Sequence, residues 1–95
     1  MAFEWNDEKA RTNLEKHGVS FEEAQTVFDD DDAGIKDDPD HSVGEHREII
    51  VGRAASRRLL LVSFTERGEN IRIISARTAT RRESTLYEEE NRRFR

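Results

Sequence analysis

The first apolar pattern along the chain predicts a short strand followed by a helix. Phe3–Trp5 alternates apolar, polar and apolar residues, as a half-buried strand does. Asn6 or Asp7 is placed to cap the start of a helix, and Gly18 is placed to end it after His17. The inner face of this helix is expected to carry the residues at i, i+4 and i+7, which are Ala10, Leu14 and His17.

A second helix is predicted directly afterwards. Ser20-x-x-Glu23 is a capping-box pattern, and Val19 and Ala24 are spaced as a hydrophobic staple. The helix is expected to end near Phe28, with an apolar stripe formed by Phe21, Ala24, Val27 and Phe28.

Later apolar runs are too short for helices of ordinary length and predict strands joined by turns. The run Ile71–Ala76 is rich in β-branched residues, which suit a pleated surface. A last helix begins with a second capping box, Thr80-x-x-Glu83, and is expected to turn Leu86 and Tyr87 inward. The predicted strands are 33–36, 47–53, 59–64 and 71–76, with turns at 54–57 and 65–70.

The resulting order, β-α-α-β-β-β-β-α, predicts an α+β fold. We expect a small, mainly antiparallel sheet with helices on one face, two of them N-terminal and one C-terminal. Residues 1–95 are expected to form a single domain, with 91–95 as a frayed tail because NRRFR offers little to bury.

Charge is distributed unevenly along the chain. Residues 1–46 hold 4 Lys and Arg against 14 Asp and Glu, whereas residues 47–95 hold 12 against 7, and all 12 cations there are arginine. Guanidinium groups bind phosphate bidentately, so a basic half in an acidic protein points to an anionic partner. The alternative is a solvated surface of intramolecular ion pairs.

Several classes of protein are disfavoured by what the sequence does not contain. There is no cysteine, so thiolate metal sites, disulfides and thiol nucleophiles are excluded. The N-terminal residues lack the apolar core of a signal peptide and no run approaches membrane-spanning length, so the expected location is the cytoplasm. The aspartates at 29–32, 37, 38 and 40 do not fit a calcium loop, so we expect no metal and interpret this segment as a solvated loop or a surface for a basic partner.

Two longer blocks, FEWNDEKARTNLEKHGVSFEEAQTVF and LLLVSFTERGENIRIISARTATRRE, together resemble the BrnT family of bacterial toxins. The resemblance runs from Phe3 to about Tyr87 and implies a fold similar to the RelE ribonucleases. It also implies a toxin of a type II toxin–antitoxin pair that cleaves RNA and arrests translation. A BrnA-type antitoxin, which also binds operator DNA, would neutralise it. The chain departs from the family at Asp29–Asp32, where a shorter link with proline is common, and at Thr78, where a basic residue is common.

Cleavage of this type uses the ribose 2′-hydroxyl as nucleophile, so a metal is not required. The enzyme must then stabilise charge on the transition state, a task that suits arginine. Arg77 is the first catalytic candidate, because it ends a strand and the resemblance places Ser75-Ala76-Arg77 at the active site; pairing with Glu83 or Glu66 is its structural alternative. The other catalytic candidates are Arg81 in the first helical turn and Arg47 and Arg58 at strand starts.

Further side chains are candidates for binding RNA rather than for chemistry, namely Arg67, Arg72, Arg82 and Tyr87. Tyr87 is alternatively a core residue. Histidine is the usual general base near neutral pH, but His17 is expected on the inner helix face, and His41 and His46 lie in a turn-rich region. Glu83 is interpreted as a helix cap rather than a base.

Two functions therefore remain open. The first is a metal-independent endoribonuclease toxin with an arginine-centred site. The second is a non-catalytic module that binds RNA or a partner through the same arginines. In the first case we expect a partly disordered antitoxin to cover the arginine face.

Overall fold

The computed structural model describes residues 1–93 and the side chains of residues 1–91. The predicted order of elements is confirmed. The strands are β1 (Phe3–Glu4), β2 (Gly34–Asp37), β3 (Glu48–Arg53), β4 (Leu59–Arg67) and β5 (Asn70–Thr78). The helices are α1 (Asp7–His17), α2 (Phe21–Gln25) and α3 (Arg81–Arg93), with 3-10 turns at Thr26–Asp29 and Pro39–His41. Because α3 continues through Arg93, the chain is helical in part of the predicted tail; residues 94 and 95 lie outside the described residues.

The predicted ends of α1 and the predicted start of α2 are confirmed. The Asn6 side chain accepts a hydrogen bond from the Lys9 N–H, and Gly18 ends α1 with φ 68°, a left-handed conformation that glycine adopts without strain. The Ser20 hydroxyl accepts a hydrogen bond from the Glu23 N–H, which starts α2.

The five strands form one sheet in the order β1-β5-β4-β3-β2. The pairs β2–β3, β3–β4 and β4–β5 are antiparallel, whereas β1 runs parallel to β5. The sheet is therefore mixed, and the expectation of a mainly antiparallel sheet is corrected. A strand of two residues carries no pattern from which its pairing partner could be read.

The sheet separates two layers of helix. Ile50, Val62 and Ala76 lie in one transverse row on the face covered by α1 and α2, and they are buried. The next row, which includes Val51, Leu61 and Arg77, lies on the opposite face, where α3 packs near β3. The expectation that the helices share one face is wrong. We call the side of the sheet that bears α1 and α2 the core face and the other side the α3 face.

The inner face of α1 matches the prediction at Ala10, which packs against the core, and differs from it at the other two positions. Asn13 is the buried residue of this helix, whereas Leu14 is 50% exposed and His17 is exposed. The Ala76 N–H donates to Asn13 Oδ1 (3.1 Å), and Asn13 Nδ2 donates to the carbonyls of Ala76 (2.8 Å) and Val19 (3.0 Å). One side-chain amide thus pairs with a β5 peptide beyond the end of β1, as a strand would.

Two hairpin turns join the three long strands. Between β4 and β5 the turn is Gly68-Glu69, with φ 60° at Gly68, so β4 continues to Arg67 rather than ending at Phe64 as predicted. Between β3 and β4, Arg57 adopts φ 77°, and its N–H donates to the Ala54 carbonyl (2.9 Å). This is the position at which three-residue hairpin loops usually place glycine.

A close contact fixes the acidic loop against β3. A Cβ atom on Gly52 would lie 2.7 Å from Ala33 Cβ and 2.9 Å from Val27 Cγ1, so only glycine lets these segments meet. From this loop Asp30 accepts a 2.7 Å hydrogen bond from the Arg53 N–H. The loop thus reaches the α3 face beside Tyr87, while Leu86, predicted to be inward, is 47% exposed.

Replacement of Asn13 tests this packing. Asn13→Ala leaves the N–H and C=O of Ala76 without their partner in a buried position, so we expect a loss of about 3 kcal/mol in unfolding free energy. Urea unfolding followed by the fluorescence of Trp5, which packs edge-on against Phe21, measures it. Leu14→Ala is the matched control and should change the free energy by less than about 0.5 kcal/mol. A larger loss for Leu14→Ala than for Asn13→Ala would contradict the observed orientation of α1.

Candidate nucleic-acid interface

The junction between β5 and α3 concentrates charge at the sheet end where the sequence predicts the site. The Arg77 guanidinium forms a two-bond pair with the Glu83 carboxylate: Nη1 to Oε1 is 2.8 Å and Nη2 to Oε2 is 2.9 Å. Arg77 hydrogen bonding, opposed by burial, lowers the pKa of Glu83 to about 2. The same pair raises the pKa of Arg77. The structural alternative considered for Arg77 is therefore present, although 39% of its side chain is still exposed.

Glu83 also holds the start of α3. The Thr80 N–H donates to Glu83 Oε1 (2.8 Å), and the Glu83 N–H donates to Thr80 Oγ1 (3.2 Å), which completes the predicted capping box. Arg81 and Arg82 follow in the first turn, and both are exposed. Within residues 1–93 neither guanidinium makes a hydrogen bond or ion pair. The Glu83 carboxylate therefore orients the Arg77 side chain. It also starts the helix whose first turn carries Arg81 and Arg82, which have no carboxylate partner among the described residues.

The exposed part of the α3 face extends this charged region along β5. Ser63 pairs with Ser75 two residues along the strands from Leu61 and Arg77, on the same face of the sheet. Both serines are partly exposed. The register then shifts between Ser63 and Phe64 by one extra residue, Ile74, a β-bulge. Beyond it Arg72 pairs with Thr65 on the same face, with no side-chain partner among the described residues. A polar strip with an arginine at each end thus crosses this surface.

Arg47 and Arg58, the other two catalytic candidates, lie at opposite ends of the β3–β4 hairpin. Arg47 precedes Glu48, which pairs with Phe64, whereas Arg58 follows the turn after Arg53. They are roughly 20 Å apart at about 3.3 Å per residue, so they cannot act on one phosphate.

Arg58 points to the core face and is engaged there. Its Nε donates to Glu23 Oε2 (2.9 Å) and its Nη2 donates to the Gly18 carbonyl (2.9 Å). Arg58 hydrogen bonding lowers the pKa of Glu23. Arg58 therefore ties the β3–β4 turn to α2 and is not brought together with Arg77.

Two of the predicted RNA-binding side chains also have partners. Arg67 pairs with Glu45 at 3.1 Å. The Tyr87 hydroxyl donates to Asp30 Oδ2 (2.7 Å), and the Arg53 guanidinium lies 5.6 Å from the ring centroid. Burial and the Asp30 carboxylate raise the pKa of Tyr87 to about 12. These contacts favour a packing role for Tyr87 over the stacking of its ring on an RNA base.

The structure also forms a cleft that the sequence reading missed. It lies between α1 and β5, has a volume of about 510 Å³ and is lined in part by Lys9, Lys16, His17 and Ser75. Lys9, Asn13 and Lys16 follow at i, i+4 and i+7, so their spacing alone places them on one helix face. The apolar residues Ala10 and Leu14 have the same i, i+4 spacing, and they predicted a different inner face.

The other two histidines lie away from this cleft. His41 Nδ1 is 3.0 Å from Asp38 Oδ2, and His46 Nε2 is 3.0 Å from Asp37 Oδ1. Asp37, His46 and Glu48 each offer one atom within 4.8 Å of the others, so these residues could hold a metal ion. Burial and the neighbouring Glu66 carboxylate raise the pKa of Glu48. Asp37 and Glu48 lie in a core-face row, on the opposite side of the sheet from Arg77.

Comparison with known proteins identifies the family. A family model described as "Ribonuclease toxin, BrnT, of type II toxin-antitoxin system" matches residues 5–83. The chain belongs to the BrnT family. This BrnT family member is accordingly a ribonuclease toxin of a type II toxin–antitoxin system, which confirms the resemblance seen in the sequence.

A solved structure shares the fold of this BrnT family member. It is the 1.1 Å crystal structure of the Brucella abortus ribonuclease toxin BrnT, with a TM-score of 0.66 and 24% identity. The match covers 85% of this chain and 99% of that chain. No curated protein matches the chain. None of the helices within residues 1–93 combines the length and apolar character needed to cross a membrane.

The Arg77–Glu83 pair predicts a pH dependence of stability. Glu83 has a lower pKa in the folded chain than its ordinary value of 4.5, so its contribution is complete above about pH 4.5 and is lost as the pH falls towards 2. Glu83→Gln should destabilise the chain at pH 7 by about 1 kcal/mol, since the pair is partly exposed and solvent-screened. In urea unfolding the difference from the parent chain should be about the same at pH 5 as at pH 7 and should be smaller at pH 3.

The matched control is Glu15→Gln, which removes an exposed carboxylate paired with Arg11 at 3.0 Å. We expect less than about 0.5 kcal/mol at each pH. A Glu83→Gln difference that stayed constant between pH 7 and pH 3 would rule out a linkage through this carboxylate.

Proposed function

We propose that the chain is a metal-independent endoribonuclease with a RelE-like fold that cleaves RNA by attack of the ribose 2′-hydroxyl. In this reaction the 2′-oxygen bonds to the adjacent phosphorus, the bond to the 5′-oxygen breaks, and a 2′,3′-cyclic phosphate remains. The 2′-hydroxyl proton goes to a base and the leaving 5′-oxygen takes up a proton. Membership of the BrnT family supports the ribonuclease activity. Cleavage of messenger RNA in the cytoplasm would arrest translation.

The observation that best supports an arginine-centred site is the guanidinium of Arg77, which presents two donor nitrogens near the end of β5. Glu83 binds this guanidinium through two oxygens, the geometry in which arginine also binds a phosphate. We propose that an RNA phosphate replaces the Glu83 carboxylate on Arg77. Arg81 and Arg82, which lie in the first turn of α3, compensate the negative charge that the phosphate adds.

The surfaces beside Arg77 support a path for the RNA strand. Arg72 lies on the same face of β5, beyond the strip that contains Ser75. On the outer side of β5, Lys9, Lys16 and His17 line the cleft against α1. Phosphate contacts of this kind fix the position of the chain without reading bases. Among the three histidines only His17 lines this cleft, so it is the candidate base.

A second candidate is the non-catalytic binding module. The Arg77–Glu83 pair favours it, because the pair holds the first-choice catalytic side chain in a structural contact. In either case we propose that a BrnA-type antitoxin neutralises the chain by covering the arginine surface, and that operator DNA is bound only through that complex.

Incubation of the purified protein with a long single-stranded RNA in EDTA separates the two functions. We expect discrete fragments that end in 2′,3′-cyclic phosphate. Arg77→Ala should lower the cleavage rate by about 10²–10³-fold, as loss of one transition-state donor does. Arg77→Lys should recover only part of this rate, because lysine cannot form the two-bond contact.

Arg11→Ala is the matched control, since Arg11 lies on the exposed side of α1 and pairs with Glu15; its rate should equal that of the parent chain. Glu48→Gln should also leave cleavage in EDTA unchanged if no metal takes part. RNA that is bound but stays intact, both with and without ribosomes, would establish the binding module instead.

A further inference from the structure

Strand β2 leaves one side of the sheet open. It pairs with β3 alone and ends the strand order. The Asp38 N–H donates to the Arg47 carbonyl at 2.9 Å, so residues 38, 36 and 34 direct their backbone groups to β3. Ile35 and Asp37 therefore direct their N–H and C=O groups outward. An extended segment of another chain could pair with this edge.

Apolar surface lies on both sides of this edge. On the α3 face, Val51, Leu86 and Tyr87 contribute to a groove of about 200 Å³ between β2 and α3. On the core face, Ile35 lies opposite Ile50 and is 55% exposed. An added strand would direct alternate side chains to these two surfaces, so its central residues should be apolar.

Aspartates bracket β2 at both ends. Residues 29–40 contain seven aspartates and one lysine, a net charge of −6. Asp29 and Asp31 lie before the strand, and Asp40 lies after it, all exposed. On the groove side, α3 adds the exposed Glu90, which lines the groove. A partner segment with basic residues at both ends would complement this charge.

The same charge argues against a second copy of this chain as the occupant. Pairing of β2 with β2 of another copy would bring two segments of net charge −6 side by side, and like charges at an interface oppose association. The arginine-bearing strand β5 of another copy is also a poor occupant, because β1 covers it at Ile71 and Arg72 and the Asn13 side chain takes the N–H and C=O of Ala76.

We infer that the β2 edge binds an extended segment of a protein partner, apolar at its centre and basic at both ends, which adds a sixth strand to the sheet. The inference rests on the proposed function in that the natural source of the segment is the antitoxin. It adds to that function a second contact surface, separate from Arg77. The partner would thus hold the toxin by both its arginine surface and its acidic edge.

A defined peptide tests the inference without RNA. The probe is fluorescently labelled acetyl-Lys-Arg-Val-Leu-Val-Leu-Val-Arg-Lys-amide, titrated with the full chain by anisotropy. A version with glutamate at the four basic positions has the same centre, and we expect it to bind at least about tenfold more weakly. Hydrogen exchange followed by NMR should show slower exchange of the Ile35 and Asp37 amides in the complex with the basic peptide.

Substitutions at Ile35 separate backbone pairing from apolar contact. Ile35→Pro removes the outward N–H without removing a β2–β3 hydrogen bond, and we expect about tenfold weaker binding. Ile35→Thr keeps the N–H and strand propensity and should weaken binding only about threefold. The triple variant Asp29→Asn, Asp31→Asn and Asp40→Asn should lower the affinity and its salt dependence. Thermal unfolding checks that each variant is folded.

The possible outcomes are distinct. No binding of the basic peptide, equal binding of the acidic peptide, or full binding by folded Ile35→Pro would overturn the inference. Protection of amides elsewhere instead of at Ile35 and Asp37 would also overturn it. A protein that binds the peptide but does not cleave RNA would contradict the proposed ribonuclease mechanism and leave this inference standing.

Discussion

The fold depends on one side-chain amide in the interior. Asn13 supplies donor and acceptor to the peptide of Ala76, where β1 has already ended, and so satisfies the backbone of β5 on the side that lacks a strand. Buried peptide groups are costly when they have no partner. The same contact sets the rotation of α1, which brings Lys9 and Lys16 to the cleft, and it fixes β5 one residue before Arg77. Packing and the candidate site therefore share a single constraint.

Local chemistry allowed much of this architecture to be predicted. Asn6, Gly18, Ser20 and the Thr80–Glu83 box act within a few residues of their own position, so the helix boundaries follow from short patterns. The strand order along the chain followed for the same reason. Arg77 was also identified correctly as a strand-end side chain beside the last helix, together with its alternative partner Glu83.

What could not be predicted depends on contacts between distant residues. Nothing near Phe3 shows that its strand will lie parallel to Ile71, and nothing near Leu86 shows that α3 will cover the opposite face. Arg47 and Arg58 each precede a strand, and this shared position suggested that they lie together. Antiparallel pairing instead places the starts of neighbouring strands at opposite ends of the sheet. A buried asparagine and an exposed leucine on α1 reverse the usual hydrophobicity rule, because a backbone group needed a partner.

The parallel pairing of β1 with β5 has a consequence for the order in which the chain is completed on the ribosome. Phe3 is synthesised early, yet its partner Ile71 and the peptide that holds Asn13 appear only when most of the chain exists. Contacts with such large sequence separation form late, because a long loop must be closed before they stabilise anything. We therefore expect a nascent chain to lack the assembled sheet, and with it the arginine surface, until β5 has been synthesised. A ribonuclease toxin thus lacks its candidate site until the strand that carries Arg77 has been synthesised.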